Sequence, residues 1–173
     1  MPFRDKGAVM LDLDGRIVFA STYVCDLVGV EYDKIIKILD LRTHQVSAVP
    51  NSNGLFSPRW SPDRRYLVAM SFDSTKLVLF DFATQKWEEL ARISCAFPNW
   101  SKNSDYVYFL QQDQPSVMRV HIADKRIERV ADLRNLRLTG YWGIWLGLAP
   151  DDSPLLLRDT GSQDVYALDW HTR

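Results

Sequence analysis

Short apolar runs, four or five residues long and separated by turn formers, recur along most of this chain. Tyr66 to Met70 and Lys76 to Phe80 are rich in β-branched and aromatic residues, and Asp73-Ser74-Thr75 divides them. Ala83-Thr84-Gln85-Lys86 then separates the second run from Trp87-Glu88-Glu89-Leu90. Ahead of the first run, Pro62-Asp63 sets a turn, because proline fixes its own φ and aspartate bonds the backbone two residues on. Runs this short, with turns this frequent, predict the strands of small antiparallel sheets.

The arrangement repeats. Forty residues after Trp60, Asn99-Trp100-Ser101 stands where Arg59-Trp60-Ser61 stood. Forty-eight residues further on, Leu148-Ala149-Pro150-Asp151 takes the place of Trp60-Ser61-Pro62-Asp63, with Leu for Trp. Each copy is followed by a second element: Leu79-Phe80-Asp81-Phe82, Val120-His121-Ile122 and Leu168-Asp169-Trp170. A further copy of that element, Ile38-Leu39-Asp40-Leu41, has no Trp-Ser-Pro-Asp before it. Three or four strands per unit at a period near forty is the spacing of propeller blades. The fold expected is therefore all-β: a propeller-like array of about four antiparallel blades, or about three and a half on a stricter count.

On these residues, the stretch 36–173 resembles the WD-repeat-like blades of the TolB-type β-propellers. Their repeat runs Trp-Ser-Pro-Asp-Gly, strand, turn, and a strand ending in Asp-Leu. Trp60 to Asp63 match it in full, with Arg64 in place of the glycine. Trp100 and Ser101 match while Lys102 and Asn103 depart, and in the third copy only Pro150 and Asp151 persist. The units read as a half blade over 37–50 and blades over 51–91, 92–132 and 133–173. The resemblance implies a fold and says little of activity, since one fold hosts many functions. Related propellers serve as sensory or docking domains of bacterial regulators, which implies a non-catalytic protein-binding module.

The N-terminal segment, 1–36, fits the repeat less cleanly. Ala8 to Leu13 and Arg16 to Ala20 are apolar runs joined by Asp14-Gly15, a strong hairpin signal. Ser21 or Thr22 is placed to cap a short helix from Tyr23 to Val28 that Gly29 would end, with another turn over Tyr32 to Ile36. A short helical element is thus expected near 22–36. The spacing Asp14-Gly15-x-Ile17, Ser21, Leu27-x-Gly29 and Asp33-x-Ile35 resembles the opening of a PAS domain. The match stops at Lys37, leaving too little chain for a cofactor pocket. The rival reading makes Ala8 to Ser21 the first two strands of blade one and Ile36 to Asp40 and Val46 to Val49 its outer two. The reading adopted joins them: PAS-like by ancestry, with the segment forming the inner part of the first blade. An open array would leave strand edges unpaired, so the chain is expected either to use its open blade edges for a protein partner or self-association, or to be a truncated remnant of a larger propeller.

Composition adds exclusions. With 21 basic and 22 acidic residues the net charge is −1, which gives no polybasic field for nucleic acid or anionic lipid. No apolar run approaches membrane-span length, and Met1 to Lys6 precede no signal-peptide core, so a cytoplasmic location is expected. Cys25 and Cys95 lie far apart and read as reduced thiols.

Candidate chemistry is sparse, and no catalytic residue, metal ligand or cofactor is predicted. Asp159-Thr160-Gly161, preceded by Leu155-Leu156-Leu157, matches the triplet of aspartic peptidases, in which two carboxylates share a proton. It also falls where the repeat needs a turn, and Asp-Thr-Gly is ordinary turn chemistry. His44, His121 and His171 lack metal-ligand spacing. The carboxylates of Asp40, Asp63, Asp81, Asp151 and Asp169 recur once per unit and read as turn stabilisers. The candidate interaction surface is Arg134, Arg137, Tyr141, Trp142 and Trp145, residue types that dominate interface energetics. Trp142 and Trp145 equally suit blade-to-blade filling, which is the preferred reading.

Overall fold

The computed structural model describes residues 10–11, 16–20, 35–138 and 145–161, and every regular element among them is a strand. The first sheet runs β1 (Met10–Leu11), β2 (Arg16–Ala20), β3 (Ile36–Asp40) and β4 (Gln45–Ala48), paired in chain order. The second is β5 (Leu55–Trp60), β6 (Tyr66–Ser71), β7 (Lys76–Asp81) and β8 (Lys86–Arg92). The third is β9 (Cys95–Trp100), β10 (Tyr106–Gln111), β11 (Ser116–His121) and β12 (Ile127–Asp132). A fourth sheet pairs β13 (Leu146–Leu148) with β14 (Pro154–Leu156). All neighbours are antiparallel. First strands of successive sheets adjoin, with β5 packed on β1 and β9, and β9 on β13. Fourth strands β4, β8 and β12 form the exposed rim.

The inner two strands of the second and third sheets are buried on both faces, which is why Tyr66–Ser71 reads as a continuous apolar run. Alternate residues face different neighbours. Leu67, Ala69 and Phe80 pack with Ile36, Val49 and Trp60 against the first sheet. Val68, Met70, Leu77 and Leu79 pack with Cys95, Val107, Phe109 and Val120 of the third. Tyr108, Leu110 and Val117 then meet Leu133 and Leu146. Aromatic rings seal the first contact. Trp60 stacks on Phe82 at 4.7 Å, and Phe80 sits edge-on to Phe82 at 5.1 Å and tilted to Trp87 at 5.0 Å.

The repeated turn is held by one buried hydroxyl. Ser61 Oγ accepts from the Tyr66 N–H at 2.8 Å and lies 2.6 Å from the Asp63 carboxylate, which in turn accepts from the Arg65 N–H. Ser101 repeats this with Tyr106 and Asn103 at 2.9 and 2.8 Å, so asparagine serves where aspartate stood. The next position but two is left-handed in every copy: Arg64, Ser104 and Asp152 all have φ 65. That explains the family's glycine there, since a left-handed backbone costs an L-residue about 1–2 kcal/mol. Here two of the three side chains reach back to the preceding turn. Ser104 Oγ accepts from the Asp63 N–H at 3.1 Å, and Asp152 Oδ1 accepts from the Lys102 N–H at 2.8 Å.

Some elements differ from expectation, and some expected ones lie outside the described residues. The first strands β5 and β9 were not legible as strands: each carries a proline, Pro58 or Pro98, at a register shift. The residues before them, Ser57 and Phe97, both have φ 53. Edge strands tolerate this, because an edge N–H need not join the ladder. The helical element near 22–36 falls mostly on 21–34, outside the described residues, and Ile36 is strand. The PAS-like spacing lies mostly outside them too. What is described of that segment, β2, pairs with β3 as part of a blade-like sheet.

Ser61→Ala removes the buried acceptor for the Tyr66 N–H and should cost about 1–3 kcal/mol of stability in urea titrations. Ser104→Ala should cost more than Ser104→Gly by about 1 kcal/mol, since only glycine relieves the left-handed strain. Equal losses would show that the φ 65 conformation carries no penalty. Cys95 is a free, fully buried thiol whose pKa burial pushes up to about 12, with the Asp73 charge adding to it. Being raised, that pKa makes the folded state hold its proton where the unfolded chain loses it. Stability is therefore intact below the ordinary value of 9.0 and falls as pH rises from there towards 12. Peptide mapping after iodoacetamide should find Cys95 unmodified in native protein at pH 8 and modified in urea.

Candidate functional site

The connection after β12 is where the repeat period lengthens, and the structure builds it from short-range constraints. Leu133 is buried, its N–H donates to Pro115 O at 2.9 Å, and the Leu136 N–H closes a turn onto Leu133 O at 3.0 Å. Its far end joins the fourth sheet: Leu138 bridges Arg158, and the Asp159 N–H donates to Arg137 O at 2.9 Å. Between this segment and the ends of β9 and β10 opens a cavity of about 260 Å³. Phe97, Leu110, Pro115, Leu133 and Leu138 give it an apolar wall, with Gln111 and Gln112 beside them.

The predicted surface residues separate. Arg134 is exposed, and its guanidinium grips Asp132, Nε lying 3.0 Å from each carboxylate oxygen. That contact, with the Arg134 N–H, pulls the Asp132 pKa down to about 2. Arg137 reaches Asp159 Oδ2 at 3.1 Å and Gly161 O at 3.1 Å. Both arginines therefore tie the connection to its neighbouring strands. Tyr141 and Trp142 lie outside the described residues. Trp145 is 44% exposed and so is not packed between blades of this chain. Its indole lies over Gly147, where an added Cβ would meet the ring.

Asp159 accepts from the Gly161 N–H at 2.9 Å on one oxygen and pairs with Arg137 through the other. Both oxygens are thus engaged, one of them within the turn itself, as turn chemistry requires. Asp169 lies outside the described residues, and the other recurring carboxylates turn onto their own backbone. Asp40 accepts from Thr43 and Arg42 N–H groups, Asp81 from Ala83, and Asp151 from Ser153. Those bonds hold the Asp40 and Asp151 carboxyls below the ordinary range. His44 sits in a turn at φ 56, His121 pairs with Asp124 at 2.7 Å, and His171 lies outside the described residues. Among the described residues no three His, Cys, Asp or Glu side chains converge on a metal position. No helix there is long and apolar enough to cross a membrane.

One residue that sequence reasoning passed over is Arg59, on first strand β5. It is half-buried, donates to Pro58 O at 3.0 Å, and burial lowers its pKa. Its only signal was its place just before the repeat tryptophan.

No family model and no curated protein matches this chain. Solved structures do. TolB from Acinetobacter baumannii matches at 19% identity and TM-score 0.59, over 83% of this chain and 36% of that one. An auxiliary nutrient binding protein from Bacteroides thetaiotaomicron matches at 11% identity and TM-score 0.61, over 87% of this chain and 35% of its own. The β-propeller domain of the trilobed protease from Pyrococcus furiosus, described as having an open velcro topology, matches at 13% and 0.55, over 74% and 43%. The sheets are β-propeller blades. This chain spans little more than a third of the first two proteins, and at such identities the likeness shows the fold alone.

Arg137→Ala cuts the clamp between the connection and the fourth sheet. Hydrogen exchange should speed up for peptides covering 133–138 and 155–161, while the global unfolding midpoint moves by about 0.2–1 kcal/mol at most, as exposed ion pairs do. Unchanged exchange would show that the backbone pairing alone holds the segment.

Proposed function

We propose that this chain is a non-catalytic β-propeller module that works by binding protein, either a partner or a second copy of itself. The observation that carries this is the apolar cavity under the 133–138 connection. Its lining is apolar apart from Gln111 and Gln112, so the cavity presents shape and apolar wall rather than reactive groups. In that reading the module is a docking domain of a bacterial-type regulatory protein in the cytoplasm, the cavity taking an aliphatic or aromatic side chain of its partner.

Panning a displayed peptide library against the folded full chain tests the reading. Selected peptides should share an apolar anchor, and Leu138→Glu should weaken them at least tenfold in a fluorescence titration while the circular dichroism spectrum stays unchanged. Peptides that bind both forms equally would move the binding surface elsewhere. Cleavage of peptides by the wild type that disappears in Asp159→Asn would replace the reading with a catalytic one.

A further inference from the structure

The repeat assigns a direction to each strand position, and that direction shows what the two ends of the array present. Trp60 pairs with Leu67, Trp100 with Val107 and Leu148 with Pro154. Leu155 therefore corresponds to Val68 and Tyr108, and Leu157 to Met70 and Leu110. In the second and third sheets these positions face the following blade and are 0–5% exposed. In the fourth sheet Leu155 and Leu157 are each 45% exposed, with Trp145 beside them over Gly147.

The opposite end mirrors this. Phe80 pairs with Trp87 as Leu39 pairs with Val46, so Leu39, Leu41 and Val46 stand where Phe80, Phe82 and Trp87 stand one repeat later. Those three aromatics face the preceding blade and pack against it. In the first sheet Val46 is 56% and Leu41 39% exposed. One chain thus carries both a face built to be followed and a face built to be preceded.

We propose that the occupant of both faces is a second copy of this chain, joined head to tail so that the fourth sheet of each copy packs on the first sheet of the other. This rests on the protein-binding reading above and names the partner and the surface. Two such contacts close a two-fold ring. The ring holds twice four sheets, which stays within the four to eight blades that propellers adopt. It would bury with one contact type every apolar side chain just named. Only the head-to-tail pairing sets a following face on a preceding face, as each contact within the chain does.

Sedimentation equilibrium of the full chain across a concentration series should give twice 20.0 kDa. Leu155→Asp with Leu157→Asp should reduce the mass to one chain, and so should Val46→Asp alone, a rim-strand change that leaves the core untouched. Mixing the two variants is the decisive arm. Head-to-tail pairing leaves one intact contact between an end-face and a first-face variant, so the mixture regains the doubled mass that neither variant shows alone. A wild type that stays at one chain, a mixture that stays monomeric, or an unlimited series of larger species would each overturn the ring. Peptide capture through the 133–138 cavity would persist in the first two cases, which separates failure of the ring from failure of the binding-module reading.

Discussion

The fold depends on sheets that are apolar on both faces. A four-stranded sheet with one solvated face can stand against a single partner layer, but Tyr66–Ser71 and Tyr106–Gln111 carry apolar groups on either side. Each sheet must therefore lie between two others, and burial propagates from repeat to repeat. Hydrophobic burial sets the stacking without setting its orientation. The twist of the sheets and the nearness of β5, β9 and β13 at the inner side turn the stack into an arc.

Orientation comes from the turns. Ser61 and Ser101 lock the first hairpin of their sheets by giving a buried oxygen to the strand that follows. The left-handed residue then ties successive sheets, its side chain accepting from the turn before it. Glycine at that position would be cheaper for its own backbone and would lose the tie. Ser104 and Asp152 accept the conformational cost of about 1–2 kcal/mol and regain part of it through a hydrogen bond between repeats. The departure from the family pattern is thus a different solution to the same geometric demand.

Much of this was legible in the sequence, and what was not has physical causes. The second and third strands of the units over 51–91 and 92–132, the Trp-Ser turn and the strand-end aspartates Asp40 and Asp81 follow from local chemistry. Pro58 and Pro98 hid the first strands, because proline argues against a strand unless the strand is known to be an edge. The pairing of Arg134 and Arg137 depends on where Asp132 and Asp159 arrive in space. A subtler miss concerns the last unit. The Ser61 N–H donates to the carbonyl five residues on, Tyr66 O, whereas the Ala149 N–H donates to Ser153 O, four on. Counting from Trp60 and Leu148 alone would align Leu155 with Leu67 and turn every side chain of β14 to the wrong face, since a one-residue slip inverts a strand.

That shortened turn matters for what the array offers at its end. With it, Leu156 packs inward on the third sheet while Leu155 and Leu157 point onward, as their counterparts do in the earlier repeats. The ties between turns share this polarity: each runs from the backbone of one sheet to a side chain of the next. Two identical faces meeting across a two-fold axis would join followed face to followed face and could not continue that series of ties. A contact that respects both the apolar faces and the direction of the turns has to join unlike ends. The constraint that builds the inside of this protein thereby limits the kind of surface that can complete it: a blade presented from its preceding side, with aliphatic groups where Phe80, Phe82 and Trp87 would stand.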